Sequence, residues 1–354
     1  MNFYQSLQLD PFVLKQQMKN ATSSKEKHFF IKALVVRDIL LVAFAIFFVS
    51  VITTFFGEDT SSLAVVLFCI LLSIRFVDFG YHITHSLISL AVVFAVLFIS
   101  PVLNQIVSPI PGFFINFISL LILFFLTSSN PQMGNASLYS FSYIFLTGTS
   151  NAKDIYNLSN KGLLLVLCYI LFAVIFFIKH KNKNENHSFM QEMIGEDFFS
   201  KRNLWLIYVA LGVSMLFFIG EYSSLNRFMW VGFACSSLLS NYNTHDIKQR
   251  FYDRLIGVVL GSVLFSVVLQ LTPPSATFIL GPMGGLALGL CSSYRYKSLF
   301  NCFGALALAS GIYGIHDAVI FRILNNLIGL IFGYVYYIIS IKIFSLLKTK
   351  HAHN

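Results

Sequence analysis

The sequence predicts an all-α membrane protein, a polytopic bundle of about 12 transmembrane helices built as two parallel repeats of about six helices each. Composition is the first reason, because 56% of the residues are apolar and only 11% are charged, whereas about a quarter of the residues of soluble domains are charged. The second reason is a series of apolar segments, and the third is an uneven distribution of basic residues among their connections. Lipid is therefore the expected solvent of most of the chain.

The apolar segments form two groups around one polar linker. In chain order they cover 38–56, 62–77, 83–100, 113–128, 137–149 and 162–178, and then 204–220, 228–242, 252–271, 275–292, 298–313 and 319–346. The fifth is too short and too rich in serine, threonine and glycine to face lipid alone, so we expect it to be packed inside the bundle or to span only half of the membrane. The second group echoes the first weakly, with Phe198-Phe199 and Lys201 repeating Phe29-Phe30 and Lys32. An even number of crossings per group makes the repeats parallel.

These segments divide the chain into five predicted parts. They are a cytoplasmic N-terminal segment at 1–36, a first six-helix half at 37–178, a cytoplasmic linker at 179–202, a second six-helix half at 203–346 and a cytoplasmic tail at 347–354. The N-terminal segment contains an amphipathic helix that begins at Asp10-Pro11 and is expected to lie along the inner leaflet. A capping-box spacing at Ser23 and Glu26 predicts the start of the helix that becomes the first crossing.

The basic residues predict the orientation. Most lysines and arginines fall into alternate connections, which leaves Lys153, Lys161, Arg227 and Arg322 near the opposite face. Because cytoplasmic loops are enriched in Lys and Arg, both termini are expected in the cytoplasm and the protein in the cell membrane. The first 36 residues are polar, so no cleaved signal peptide is expected. The net charge of +9 is then a signal of topology, and nucleic acid is not an expected partner.

No cofactor or metal is expected. The five cysteines lie in or beside apolar segments without the CxxC spacing of a zinc or redox site, and they resemble small buried hydrophobes. The expected partners are the lipid bilayer and a small anionic solute. A second copy of the chain or a membrane partner protein stays open.

Two arginines at the mouth of the 252–271 segment are the main substrate-binding candidates. Arg250 and Arg254 are spaced to share one helical face, and a guanidinium presents a planar fork that matches the two oxygens of a carboxylate. Trp230, Tyr252 and Tyr296 are the aromatic candidates. In the alternative interpretation, the arginines only anchor the helix at the cytoplasmic surface, with Asp253 pairing locally.

Small residues and a proline predict close packing and a hinge. Gly257 and Gly261 form a GxxxG pair, which is typical of tightly packed helices. Pro282, Gly284 and Gly285 interrupt the 275–292 segment, because a proline removes a backbone hydrogen bond and kinks or breaks the helix. A broken helix can form a substrate site in a membrane, and the alternative is a plain kink.

Asp78, His82 and His85, together with Asp253, are candidates for a proton relay. The first three would share one face if a helix continued through them, and histidines titrate near neutral pH. The alternative is a polar loop end. A metal site is not expected, because the His-x-x-His pair lacks a third firm ligand.

Asp317 and Arg322 are candidates for a gate pair at the outer face. Ordinary pairing at the membrane interface is the alternative interpretation.

The second half of the chain resembles the FUSC family of fusaric-acid-resistance and aromatic-acid-exporter-like membrane proteins. The resemblance depends on Arg227-Phe-Met-Trp230, on Gln249–Gly261 and on Ser293–Phe300, and it covers about 204–340. The residues that fall on the family's positions are Trp230, Arg250, Arg254, Gly257, Gly261 and Tyr296, and Arg322 also fits. Val258 stands where the family usually has threonine. The resemblance implies two six-helix halves in the cytoplasmic membrane and export of small organic acids, with anion channels as a related branch.

The leading functional hypothesis is a transporter that exports small organic acids, aromatic ones among them, across the cytoplasmic membrane. The proton gradient would supply the energy, since the sequence has no nucleotide-binding motif. A passive anion channel and a non-transporting scaffold or accessory factor for envelope synthesis are the alternatives. An enzyme is not expected, because no deep acidic pair, nucleophile with a base or metal cluster stands in the apolar segments.

The orientation gives a first testable prediction. Single cysteines introduced at Lys183 and Lys248 should react with a membrane-impermeant thiol reagent from the same, cytoplasmic side, because both belong to the lysine-rich connections. Labelling in intact cells and in inverted membrane vesicles checks this. Labelling of the two positions from opposite sides would contradict both the topology and the export direction.

Overall fold

The computed structural model describes residues 2–150, 158–195, 200–223, 225–243 and 246–351, with the backbone alone for 194 and 341–351. Phe198-Phe199 of the predicted internal echo and Lys153 of the predicted charge distribution lie outside these described residues, as does the end of the predicted tail.

The protein is all-helical, as predicted. Helices make up 84% of the structure, and no strand occurs in the described ranges. The helices are α1 Phe3–Ser6, α2 Pro11–Asn20, α3 Ser24–Phe56, α4 Ser61–Ile74, α5 Ile83–Leu103, α6 Pro109–Thr127, α7 Asn135–Thr149, α8 Leu158–His180, α9 Lys201–Ser223, α10 Met229–Leu239, α11 Ile247–Leu271, α12 Leu280–Gly289, α13 Tyr294–Tyr313 and α14 Ile315–His351.

Each predicted apolar segment contains a helix, from α3 for the first to α14 for the last. In the described residues, seven helices are long and apolar enough to cross a membrane, namely α3, α5, α6, α8, α9, α11 and residues 315–340 of α14. The other helices are shorter or less apolar, which places them below the length or hydropathy expected of a lone lipid-facing crossing. The number of about 12 crossings and the pairing of two six-helix repeats stay predictions.

Helix α7, the fifth predicted segment, has a strongly buried face. Tyr139, Tyr143 and Ile144 expose no surface, and α7 packs against α4, α5, α6 and α10. The buried face agrees with the expectation that this short, hydroxyl-rich segment is shielded from lipid by its neighbours.

The N-terminal helices begin where local chemistry satisfies their free N–H groups. The Asp10 side chain accepts a hydrogen bond from the N–H of Phe12 at 2.8 Å, with Pro11 at the first helical position. The Ser23 hydroxyl accepts the N–H of Glu26 at 3.1 Å and starts α3. Both starts follow the predicted capping patterns.

The apolar stripe of helix α2 packs partly against α3. Leu14 is fully buried in a cluster with Phe30, Ala33 and Leu34 of α3. This part of the stripe therefore packs on α3, and the position of the helix along the inner leaflet stays a prediction. Phe12 remains exposed.

The chain forms two compact units that cut across the predicted sequence halves. The smaller contains Met1–Phe48 and Asp246–Leu327, and the larger contains Val49–His245 and Ile328–Asn354. The smaller unit is built from the N-terminal helices, part of α3, α11 to α13 and the first part of α14. The larger holds α4 to α10 and the rest of α14.

Glycines set the helix spacing in the smaller unit. A Cβ added to Gly257 or Gly261 of α11 would collide with the backbone of α13, at Arg295 and Leu299 respectively. A Cβ on Gly284 of α12 would overlap the side chain of Phe303 on α13. The absence of Cβ atoms therefore lets α11, α12 and α13 pack with their backbones close together.

This packing gives a stability prediction. Gly261→Ala should lower the free energy of unfolding by about 1–3 kcal/mol, because the new methyl group meets rigid backbone that must move apart. The melting temperature of the detergent-solubilised protein measures the effect. Gly304→Ala on α13 is the matched control, since a Cβ there has open space around it. Equal melting temperatures for the two variants would show that the α11–α13 contact is not tightly packed.

Candidate functional site

Arg254 is a buried cation with neutral hydrogen-bond partners. It lies on α11 with 7% of its surface exposed. Its Nε donates to Oδ1 of Asn326 on α14, and its Nη1 donates to the hydroxyl of Tyr294 on α13, both at 3.2 Å. Three helices therefore meet at one guanidinium. Burial of an arginine among neutral groups is costly and is found mostly where the charge has a function.

Tyr294 connects the two predicted arginines. Its hydroxyl accepts from Arg254, and the guanidinium carbon of Arg250 lies 4.3 Å from the centre of its ring. This distance is within the range of a cation–π contact. The structure thus brings Arg250 and Arg254 together around one tyrosine.

The three predicted aromatic residues differ in burial and in the unit to which they belong. Tyr252 and Tyr296 are 60% and 57% exposed. Tyr296 is two positions after Tyr294 on α13, and such a step turns a side chain to nearly the opposite helical face. Trp230 is buried on α10 in the larger unit, whereas both arginines belong to the smaller one.

Arg322 is part of the buried cationic site. It is 2% exposed, its side chain lies beside Cys302, and its charge lies close enough to that of Arg254 for the two to repel each other. Asn326 lies one turn after Arg322 on α14: its Oδ1 accepts from Arg254, and its Nδ2 donates to the backbone carbonyl of Arg322 at 2.8 Å. We call Arg250, Arg254, Arg322, Tyr294 and Asn326 the arginine cluster.

Asp317 and Arg322, the expected gate pair, lie in different surroundings. Asp317 is exposed near the start of α14, whereas Arg322 is buried beside Cys302 and Arg254. A spacing of i and i+5 puts two side chains on different sides of a helix, so the gate geometry is not formed.

Asp253 has a different partner from the one expected. Its Oδ1 is 2.7 Å from Nη2 and 2.8 Å from Nε of Arg295 on α13. Two guanidinium nitrogens of Arg295 thus share one carboxylate oxygen of Asp253 in a charge-assisted contact. The carboxylate that is nearest in sequence to Arg254 is therefore engaged by another arginine, and the local pairing assumed in the anchoring interpretation is replaced.

The 275–292 segment, for which a hinge is predicted, contains two types of helix. A 3₁₀ helix at Pro274–Ile279 precedes α12, and Pro282 stands in the first turn of α12. The missing N–H of proline costs little there, because the first N–H groups of a helix have no partner within the helix. Gly284 faces Phe303, and Gly285 faces Val42 of α3. The helix type therefore changes from 3₁₀ to α before Pro282, and the hinge at the proline stays a prediction.

The helical face proposed for Asp78, His82 and His85 is not formed. Helix α4 ends at Ile74 and α5 begins at Ile83, so Asp78 lies in the connection between them. Its carboxylate accepts from the Gly80 N–H, from Asn184 and from Lys183, at 2.9, 3.1 and 3.3 Å. Asp78 therefore ties the 75–82 connection to the linker.

His82 and His85 also stabilise this contact with the linker. The His82 ring accepts the N–H of Thr84 at the start of α5, and the His85 ring accepts the N–H of Phe189, both at 3.3 Å. The His82 N–H donates to the carbonyl of His187 at 2.7 Å. Residues 183–189 of the predicted linker thus contact the start of α5 and the connection before it.

Sequence reasoning missed Tyr294, Asn326 and one further buried charge, Asp38. Asn325-Asn326 is a polar pair inside the apolar segment 319–346, and Asp38 opens the first segment. A polar or ionisable residue inside a membrane segment is a signal of function by itself. Applied to these positions, this criterion would have found both Asn326 and Asp38.

Seven helices in the described part of the chain are long and apolar enough to cross a membrane, as in a multi-pass membrane protein. Residues 211–336 match the family described as fusaric acid resistance protein-like, which confirms the resemblance to the FUSC family. The match contains Arg250, Arg254, Tyr294, Arg322 and Asn326. No curated protein and no solved structure matches the chain.

The contact of Tyr294 with Arg254 gives a testable prediction. Tyr294→Phe should lower the free energy of unfolding by about 1–2 kcal/mol, because a buried guanidinium loses a hydrogen-bond acceptor. The ring and its contact with Arg250 are kept. Tyr296→Phe removes an exposed hydroxyl on the same helix and should have no measurable effect. Thermal unfolding in detergent checks both, and an unchanged melting temperature for Tyr294→Phe would contradict the described contact.

Proposed function

We propose that the protein exports small organic acids, aromatic ones among them, across the cytoplasmic membrane, and that the arginine cluster binds the carboxylate. The observation that carries the proposal is the burial of Arg254 and Arg322 close to each other, with Arg254 hydrogen-bonded only to the neutral groups of Asn326 and Tyr294 among the described residues.

The electrostatics of the cluster favour an anion. Two guanidiniums that approach each other in an apolar interior repel, and each has lost much of its hydration. A carboxylate entering the cluster would offset both costs and would accept two parallel hydrogen bonds from a single guanidinium. The cluster therefore favours an organic anion over a neutral or cationic solute.

The aromatic preference rests on two observations. The ring of Tyr294 lies between Arg250 and Arg254 and supplies an aromatic surface at the cationic site, and aromatic rings pack well against such surfaces. The name of the matched family refers to resistance to fusaric acid, which is an aromatic carboxylic acid. An aromatic monocarboxylate such as benzoate is thus the first probe to use.

The proposed direction of transport and its proposed energy source are inferred from the sequence. The distribution of lysines and arginines supports cytoplasmic termini, with the Arg250 end of α11 towards the cytoplasm. Substrate would enter there and leave on the opposite side. A proton gradient is the proposed energy source, with protons moving inward as the organic anion moves outward.

Flux measurements in reconstituted vesicles test the proposal. Benzoate, 4-hydroxybenzoate, succinate and chloride should be compared with and without a pH gradient, and we expect benzoate flux that the gradient accelerates. Current that follows voltage without dependence on the pH gradient would identify a passive anion channel. Absence of flux for every solute, with copurification of an envelope-synthesis enzyme, would identify a scaffold.

Substitution of Arg254 is the sharpest test of the site. Arg254→Ala should reduce gradient-driven benzoate flux by at least about tenfold, because loss of a buried charge partner costs several kcal/mol of binding. Lys248→Ala is the matched control: Lys248 is an exposed cation near the same end of α11, and its loss should change flux by less than about twofold. Equal flux in folded Arg254→Ala and in the native protein would remove the cluster from the transport path.

A further inference from the structure

A buried carboxylate lies in the smaller unit against the end of α12. Asp38 of α3 is 3% exposed. A Cβ built on Gly289 would overlap the Asp38 carboxylate, with the carboxyl carbon only 2.5 Å and Oδ2 3.1 Å away. One turn further along both helices, Gly285 faces Val42. Helices α3 and α12 therefore run antiparallel, and a glycine makes the space that the carboxylate occupies.

The Asp38 carboxylate has no ion pair or hydrogen bond among the described residues. The neighbouring cation on its own helix is Arg37. From the end of α12 the titratable neighbour is Cys291, whose surroundings include Lys15 of α2 and Lys297 of α13. The positive charge of Arg37 favours the charged carboxylate, whereas removal from water without a hydrogen bond favours binding of a proton.

The position of Asp38 connects it to the arginine cluster. Gly289 is the last residue of α12, and Tyr294 is the first residue of α13. Residues 290–293 therefore join the glycine that contacts Asp38 to the tyrosine that contacts Arg250 and Arg254. A change in the distance between α3 and α12 at Gly289 would be transmitted through this short turn to the cluster.

We propose that Asp38 is the residue that binds and releases the driving proton. This inference rests on the proposed transport function and names the group that couples it to the gradient. Protonation converts the carboxylate to a neutral carboxylic acid that is stable in the closed contact with Gly289. Loss of the proton restores a negative charge, which favours an arrangement in which the α3–α12 contact opens to water or to a cation. The two protonation states thus favour two positions of Tyr294, which is the differential interaction that coupling requires.

Two measurements on the full-length protein test the proposal. The first is infrared difference spectroscopy with pH titration, which detects the carbonyl band of a protonated carboxylic acid. The native protein should show a band that titrates, and Asp38→Asn should lack it. Glu58→Gln is the matched control, because Glu58 is an exposed carboxylate just beyond the end of α3, and the band should be kept in this variant. A band that persists unchanged in Asp38→Asn would overturn the proposal.

The second measurement separates coupling from transport in vesicles. Asp38→Asn should lose pH-gradient-driven benzoate flux by at least about tenfold, while exchange of benzoate for benzoate stays within about twofold, because exchange needs no net proton movement. Gradient-driven flux retained in Asp38→Asn would overturn the assignment, as would a parallel loss of driven flux and exchange in the folded variant. If the native protein moves no benzoate, the proposed function is wrong. If it moves benzoate but shows no titrating carboxylic acid band, only the proposed role of Asp38 is wrong.

Discussion

The structure of the smaller unit depends on the cost of burying charge in an apolar protein. Arg254 and Arg322 could not remain inside a bundle of this composition unless other polar groups met them. Asn326 provides an amide oxygen to Arg254, and Tyr294 provides a hydroxyl to the same guanidinium. Because these groups come from α11, α13 and α14, the relative positions of three helices are constrained by the geometry of one guanidinium.

Glycine packing supports this constraint. Gly257 and Gly261 bring α11 against the backbone of α13 near Ser298 and Leu299, and Gly284 brings α12 against Phe303. The hydrophobic effect does not drive helices together inside a membrane, because lipid tails are as apolar as the side chains. Close backbone contact therefore supplies much of the association energy. The same close approach places Tyr294 within hydrogen-bond distance of Arg254. The glycine contacts between α11 and α13 therefore also determine the geometry of the candidate binding site.

The connecting segments show where local reasoning fails. The sequence spacing of Asp78, His82 and His85 is typical of one helical face. In the structure, however, α4 ends before Asp78 and α5 begins after His82. Their partners are Lys183, Asn184, His187 and Phe189. A polar linker that the sequence predicts as a free connection is therefore a structural contact. Its Lys183 and Asn184 side chains donate to Asp78, and its His187 carbonyl accepts the N–H of His82 just before α5.

The sequence by itself determined the helical class, the positions of the apolar helices, several helix starts and the family resemblance, since each depends on composition or on neighbours a few residues apart. It also selected Arg250 and Arg254. Only the tertiary structure decided that Tyr294 rather than Tyr296 contacts them, that Arg322 is buried beside Arg254, that Asp253 pairs with Arg295, and that Asp38 meets Gly289. These contacts join residues far apart in the chain, and no local periodicity specifies which faces of two distant helices meet.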